Sequence, residues 1–150
     1  MFLPFFMFSC GDVNQKTTKD LKNPTSEVDT NYNPEAVLDS LGIILRDQGI
    51  PVANYVHAVR TGNLLFLAGK GPKQDNGENI IGKLGDSLTI DQGYQAAREV
   101  GINQLSVLKA ELGNLNKVKR IVSVHGMVNA SPDFTDHSKV VNGYSDLMVA

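Results

Sequence analysis

The sequence is poor in the residues that build disulfides and metal sites. It has one cysteine, Cys10, and three histidines among 150 residues, and no tryptophan. A single cysteine cannot close a disulfide within the chain, and it excludes a cysteine-based zinc site. The histidines are scattered and none stands in an HExxH spacing, so the sequence predicts no metal site.

Long hydrophobic runs and clustered positive charge are missing as well. No apolar run is long enough to cross a bilayer as a helix. Acidic residues outnumber lysine and arginine by 16 to 14, which gives a formal net charge of −2. Since phosphate binding needs clustered basic residues, no nucleic-acid partner is expected. The apolar content of 41% and the charged content of 20% are typical of one globular domain with a real core.

The N-terminus carries a different composition. Residues 1–10, MFLPFFMFSC, are apolar up to a Ser-Cys pair. They resemble the end of a bacterial lipoprotein leader, in which cleavage before the cysteine leaves a lipid anchor, although the positive n-region is missing. We therefore predict lipidation at Cys10 and a cell-envelope location. The alternative is an apolar tail with an incidental cysteine on a cytoplasmic protein. Residues 11–32 are polar without an apolar period and predict a disordered tether.

The central segments predict a helix followed by a hairpin. Asn33 as N-cap and Pro34 at the first position begin a helix that we expect to end at Gly49. NYVHAVRTGNLLFLAGKGP, residues 54–72, then alternates as a strand, turns at TGN and continues as LLFLA. Because LLFLA is continuously apolar, we expect a buried central strand.

The second half predicts a short strand, a long helix, a strand and a last helix. ENIIGKLG is the short strand, and Thr89 caps a helix over about Ile90 to Leu112 that Gly113 ends. The expected core stripe of that helix is Tyr94, Ala97, Gly101, Leu105, Leu108 and Leu112. VKRIVSVHGMVNA is the clearest strand, and a helix capped by Asp133 starts near Phe134.

This order of elements predicts an α+β fold with helices on one face of a mainly antiparallel sheet. One face of the strand over 121–129 mixes polar and apolar side chains, namely Ser123, His125 and Met127, and such a face suits a subunit interface. The last helix runs into apolar residues without a cap or glycine, so we expect the domain to continue beyond residue 150.

Three blocks of the sequence resemble the Rid (YjgF) family of reactive-intermediate deaminases. They are NYVHAVRTGNLLFLAGKGP, AAREVGINQLSVLKAELGNLNKVKRIVSVHGMVNASPDF and KVVNGY. Residues 33–49 resemble the helical extension of one Rid subgroup. The resemblance implies a chorismate-mutase-like domain over residues 33–150, an antiparallel-rich sheet with two helices on one face, C-terminal strands still to follow, and assembly as a homotrimer.

The resemblance also implies an activity. Family members hydrolyse enamine or imine intermediates, 2-imino acids, to 2-keto acids and ammonia, with no cofactor or metal, in a pocket between adjacent subunits. An arginine binds the substrate carboxylate. In the family that arginine lies in a strand after the second helix, and this sequence ends before it.

Five positions correspond to the family's site, and one of them departs from the family's pattern. Tyr55 matches a tyrosine at the pocket rim, and Asn142 matches a helix asparagine, so these two are the predicted catalytic residues. Ala68 replaces the usual serine of the hairpin corner, and Gly69 and Lys70 follow it; these three are the predicted substrate-binding positions.

The residues by themselves leave simpler interpretations open. On spacing alone Gly69-Lys70-Gly71 is more often a plain turn than a site, and only the family resemblance makes the two interpretations even. His57 and His125 are predicted to be packed or interface residues. A second functional hypothesis is a non-catalytic trimer that binds small carboxylates or amines at the cell envelope, favoured by Ala68 and the leader. A ribonuclease activity, attributed to some relatives, is disfavoured by the acidic balance.

Overall fold

The computed structural model describes residues 32–150. Its elements are α1 (Pro34–Ser40), β1 (Ala58–Thr61), β2 (Leu64–Leu67), α2 (Ile90–Leu112), a 3-10 turn (Leu115–Lys117) and α3 (His137–Val149). The predicted leader with Cys10, and the tether up to residue 31, lie outside the described residues. Within 32–150, none of the helices combines the length and apolar character needed to cross a bilayer.

The predicted bounds of the long helix are confirmed at both ends. Thr89 and Gln92 form a capping box, in which Thr89 Oγ1 accepts from Gln92 N at 3.2 Å and Gln92 Oε1 accepts from Thr89 N at 2.9 Å. Gly113 ends α2 in the left-handed conformation, with φ of +73°.

The helices α2 and α3 pack closely because glycines face each other's surfaces. A Cβ on Gly143 of α3 would lie 2.0 Å from the carbonyl oxygen of Tyr94, and one on Gly101 of α2 would lie 2.8 Å from Leu147. The small residue Gly101 of α2 thus gives room for α3 to approach. The buried hydrophobic core comprises Leu38, Leu84, Ile102, Val107, Leu115, Val140 and Leu147.

The predicted stripe of α2 is only partly a core stripe. Gly101 is buried, and the other buried positions of the helix are Gly93, Ile102, Asn103, Ser106 and Val107. Ala97, Leu108 and Leu112 of the predicted stripe are half-buried and line a groove described below. The helix therefore presents one row of side chains to the core and a neighbouring row to this groove.

The first helix begins as predicted but ends at Ser40, well before the predicted stop at Gly49. Asn33 Oδ1 caps it by accepting from Ala36 N at 3.2 Å. Its end is a Schellman motif, in which Gly42 N donates to Asp39 O and Ile43 N donates to Leu38 O, with Gly42 at φ of +66°. The prediction that Gly49 ends the helix is wrong, because Gly42 already supplies the left-handed residue.

The N-terminal extension is fastened to the far end of α2. Glu35 forms an ion pair with Lys109 and accepts from Leu115 N at 3.1 Å. The hydrogen bond from Lys109, followed by that from Leu115 N, lowers the pKa of Glu35. These contacts fix α1 at the C-terminal end of α2, and the residues after α1 continue from there along α2.

The predicted hairpin is confirmed in antiparallel register from Ala58↔Leu67 to Thr61↔Leu64, around a two-residue turn at Gly62-Asn63. The prediction that LLFLA is buried is wrong. Leu64 and Phe66 are 47% and 60% exposed. Among residues 32–150 the sheet has two strands, so β2 has β1 on one edge and no strand on the other.

Two further strand predictions are wrong. Over ENIIGKLG the chain makes only isolated bridges, Lys73↔Asn79 and Leu84↔Leu88. Residues 118–129 run without a ladder, and the next residue, Ala130, bridges to Leu84. A strand is stabilised by a neighbour along its edge. Within the described part of the chain this segment has one only at its last residue, where Asn129 O accepts from Leu84 N at 3.0 Å.

The last helix is present but starts later than expected. Phe134 N donates to Ser131 O in a turn, and α3 begins at His137. Asp136 rather than Asp133 precedes the helix, and Asp136 makes an ion pair with Lys139 at 3.0 Å instead of a side-chain cap. His137 is exposed, and its ring lies edge-on to Phe134.

Candidate functional site

A largely apolar groove of about 1340 Å³ lies between the hairpin and the 118–129 segment. The lining from the helices includes Ala97, Leu108 and Tyr144. The two sides of the groove are formed by β2 and by all of residues 117–129. Cavities of this kind, mostly apolar with a few polar groups, are where small ligands bind. The chemistry of the groove depends on its polar side chains, and its cations are Arg60, Lys70, Lys117, Lys119 and Arg120.

Lys70 is a cation in this lining, and its position is set by His57. Lys70 Nζ lies 2.8 Å from His57 Nδ1. An ammonium can only donate, so Nδ1 must accept and the imidazole is neutral. The remaining proton then lies on Nε2, which donates to Gly49 O at 3.0 Å. Partial burial lowers the pKa of Lys70, because desolvation disfavours the charged form.

Gln104 of α2 supplies a second polar group to the lining. Its Nε2 donates to Ala68 O at 3.1 Å, while its Oε1 is buried and has no hydrogen-bond partner in the described part of the chain. A buried acceptor without a donor is costly. A ligand with an N–H group would relieve that cost, so Lys70 and Gln104 together suit a ligand that carries an anion and an N–H donor.

The structure brings most of the hairpin-side predictions together. Ala68 is tied to the strand by its N–H, which donates to His57 O at 2.9 Å, and Gly69 and Lys70 line the groove. Tyr55 lies edge-on to His57, with ring centroids 6.0 Å apart. Tyr55 itself is half-exposed and is not among the groove-lining residues.

Asn142 is placed differently. It lies exposed on α3, and its carbonyl oxygen accepts from Ser145 Oγ at 3.3 Å. Its neighbour Val141 lines the groove and Asn142 does not. The catalytic roles of Tyr55 and Asn142 stay predictions.

The predicted interface residues all lie along the groove. Ser123, His125 and Met127 are exposed lining residues, and Met127 is 97% exposed. The intervening Val122 and Val124 are exposed too, so the two faces of the segment are not distinguished by burial. The use of this surface between subunits stays a prediction.

Metal ligands are not brought together in the described residues. Within 32–150, no group of three or more His, Asp or Glu side chains has a geometry that could hold a metal ion.

Two site residues were missed by the sequence interpretation. His57 was predicted as a packed or interface residue, yet counting outward from the two-residue turn pairs it with Ala68, beside Lys70. The hairpin register would have identified it. Gln104 offered no such signal, because its role depends on where α2 lies relative to the corner.

Comparison with known proteins places the fold. Residues 35–150 match the family model described as "YjgF/chorismate_mutase-like, putative endoribonuclease". The chain belongs to this family. A Trypanosoma cruzi relative, protein TCP17, is 44% identical over 115 residues, which are 77% of this chain and 72% of that protein.

Two solved structures are similar to the YjgF-family chain. One, described as a "putative endoribonuclease" from Shewanella oneidensis MR-1, has a TM-score of 0.75 and 29% identity, covering 79% of this chain and 78% of that one. The other, protein Atu1372 of unknown function from Agrobacterium tumefaciens, has a TM-score of 0.69 and 32% identity, covering 77% and 72%. The predicted family and fold class are thus confirmed.

Family membership also bears on function at a coarse level. It supports a Rid-like or endoribonuclease-like function for the chain. Members of the YjgF family are typically homotrimers.

Proposed function

We propose that the chain is a Rid-family hydrolase of 2-imino acids, or of the enamines in equilibrium with them. The observation that carries the proposal is the Lys70 ammonium held by neutral His57 at the wall of an apolar groove. A carboxylate is the natural partner of this cation, and an apolar surrounding strengthens the pairing relative to water.

The proposed reaction is a hydrolysis at the imine carbon. The oxygen of a water molecule bonds to that carbon, and the two protons of the water pass to the imine nitrogen. The C–N bond then breaks, ammonia departs, and a 2-keto acid remains. Lys70 orients the substrate by its carboxylate, and Gln104 Oε1 accepts from the imine N–H. Tyr55 and Asn142 stay the proposed catalytic residues, although neither lines the groove of the single chain; their role in orienting the water is proposed for the assembled trimer. The reaction requires no cofactor.

The proposed assembly is a homotrimer in which a neighbouring chain completes the groove. The exposed side of the 118–129 segment supports this part of the proposal, since Val122 and Met127 are 70% and 97% exposed. Large apolar patches of this kind mark interaction sites. Size-exclusion chromatography with light scattering checks it, and a stable monomer would contradict it.

Replacement of the lysine tests the site. Lys70→Gln removes a charge-assisted hydrogen bond, so we expect KM for freshly generated 2-iminobutanoate to rise about tenfold or more. Lys139→Gln, which removes an exposed lysine of α3, is the matched control and should leave the kinetics unchanged. Ammonia release is the measurement. Wild-type protein that releases no ammonia above buffer would overturn the proposal.

The pH dependence of binding follows from the same lysine. Only the protonated ammonium pairs with a carboxylate, so affinity for 2-oxobutanoate should fall as pH rises through the Lys70 pKa, which lies below the ordinary lysine value. Folding lowers this pKa, so the unfolded chain binds more protons between the two values and the free energy of unfolding rises with pH there. Titration calorimetry between about pH 7 and 11 follows the loss of binding. Affinity that stays constant over that range would remove Lys70 from the site.

A non-catalytic binder is the second candidate, and Ala68 favours it. The methyl group at this position has no hydroxyl to orient a water molecule. This candidate predicts binding of 2-oxobutanoate without ammonia release from 2-iminobutanoate. Its proposed location at the cell envelope is checked by mass spectrometry of the membrane fraction, which should find the chain cleaved before Cys10 and lipidated.

A further inference from the structure

A buried asparagine on α2 holds the backbone that follows Lys70. Asn103 is 1% exposed and uses all four of its hydrogen-bonding positions. Its Nδ2 donates to Gly71 O at 3.2 Å and to Lys73 O at 3.0 Å. Its Oδ1 accepts from Arg46 Nη1 at 3.4 Å and from Gln48 Nε2 at 3.3 Å. One side chain therefore connects the corner to the segment after α1.

Arg46 fixes that segment to both the corner and α2. Its Nη1 donates to Lys73 O at 2.7 Å and its Nη2 to Glu99 Oε2 at 2.8 Å. It also forms an ion pair with Asp75, and its backbone N–H donates to Ser106 Oγ at 3.1 Å. Because the guanidinium is planar and donates in several fixed directions, it sets an orientation as well as a charge balance.

The other end of the segment holds the imidazole that contacts Lys70. Gly49 adopts φ of +64°, and its N–H donates to Asp47 Oδ1 at 2.9 Å. This turn places the Gly49 carbonyl oxygen where it accepts from His57 Nε2, and His57 Nδ1 accepts from Lys70 Nζ. Residues 46–49 are thus connected to Lys70 in two ways. Arg46 holds the backbone that follows Lys70, and Gly49 holds the imidazole that accepts from the Lys70 ammonium.

We infer that residues 46–49 are a positioning element that fixes the Lys70 ammonium in the groove, with Arg46 and Asn103 as its positioning residues. The inference rests on the proposed function for its effect on substrate, and on geometry alone for its effect on the corner. Arg46 does not touch the substrate; it acts through the corner backbone. Without it the Lys73 carbonyl loses a donor. Asn103, which holds the Gly71 carbonyl, loses a hydrogen-bond partner, and Lys70 samples more orientations.

The first arm of the test is a double-mutant cycle on the full chain. Arg46→Gln should raise KM for 2-iminobutanoate about fivefold while kcat changes less than about twofold, as expected for the loss of one or two hydrogen bonds. In a Lys70→Gln background the same change should have no further effect on KM, because residues that act as one unit are not additive. An equal rise in both backgrounds would overturn the inference.

Two further variants guard against a folding artefact. Arg98→Gln removes an arginine of α2 that lies outside this network and should leave KM unchanged. Gln48→Leu removes only the donor to Asn103 Oδ1 and the weak contact to Arg46 O, so it should raise KM about twofold without unfolding the chain. A KM for Gln48→Leu equal to that of wild type would count against the inference.

The second arm does not depend on the proposed function. Hydrogen–deuterium exchange of the peptide that contains residues 69–73 should be at least about threefold faster in Arg46→Gln than in Arg98→Gln, since the opening free energy falls with the lost hydrogen bonds. Faster exchange in a protein without imine hydrolase activity would keep the positioning role and reject the proposed function. Unchanged exchange would reject the positioning role whatever the activity.

Discussion

The pair α2–α3 and the hairpin with its facing 118–129 segment are two contrasting regions of one small domain. Between the helices, the backbone at Gly143 approaches the backbone of Tyr94 so closely that Gly143 has no room for a methyl group. Along the groove, Phe66, Val122 and Met127 lie largely exposed. A helix satisfies its own backbone hydrogen bonds and needs only one packed face, whereas a strand needs a neighbour at its edges. In this chain the tightly packed region is therefore the one between the helices, and the hairpin side is open.

The largest expected effect on stability comes from adding one methyl group to a glycine of each region. Gly143→Ala places Cβ 2.0 Å from the Tyr94 carbonyl oxygen, where only backbone could yield. We expect the free energy of unfolding to fall by about 3 kcal/mol or more. Gly126→Ala is the control in the open region, since its nearest contact is Val141 at 3.7 Å, and it should change stability by less than about 0.5 kcal/mol. Chemical denaturation measures both, and similar losses would erase the contrast.

Large side chains removed from the two regions should give the next largest effect. Leu115 is 1% exposed and Met127 is 97% exposed. Leu115→Ala should cost about 3 kcal/mol, from lost burial and the cavity that remains. Met127→Ala should be nearly neutral in the isolated chain. Thermal unfolding monitored by circular dichroism checks the pair. If Met127→Ala lowers the free energy of unfolding as much as Leu115→Ala, residues 118–129 are packed in solution, and the description of the groove as open is wrong.

The smallest expected effect distinguishes the two helices themselves. Thr89→Ala breaks the capping box of α2 and should cost about 1 kcal/mol. Asp136→Ala is the control, because Asp136 precedes α3 without a side-chain cap and makes only an exposed ion pair, so we expect less than about 0.5 kcal/mol. Urea midpoints at constant m-value give the comparison. Equal costs would mean that cap geometry does not decide the stability of these helix starts.

Helix predictions succeeded where the sequence encodes both the cap and the stop. Thr89 with Gln92, and Gly113 in the left-handed conformation, fix the two ends of α2 by contacts within a few residues. The first helix failed at its end for a local reason as well, since Gly42 was available before Gly49. The hairpin register was local too, which is why His57 could have been found beside Ala68.

Strand predictions failed where pairing had to come from elsewhere. VKRIVSVHGMVNA has the alternation and composition of a strand, yet residues 118–129 form no ladder with any described part of the chain. Pairing is a property of two segments, so an alternating pattern in one of them indicates what it could form and not what it does form. The exposed LLFLA follows the same rule.

The sequence by itself determined the α+β class, the hairpin and both ends of α2, because caps, turns and apolar periods act over a few residues; the family was indicated by resemblance to known sequences. Only the tertiary structure decided that Asn103 and Arg46 meet the carbonyls after Lys70, that His57 accepts from its ammonium, and that Gln104 Oε1 is left without a donor. These contacts join residues that are tens of positions apart in the chain. Their geometry depends on how α2 lies against the corner, and no local pattern carries that information.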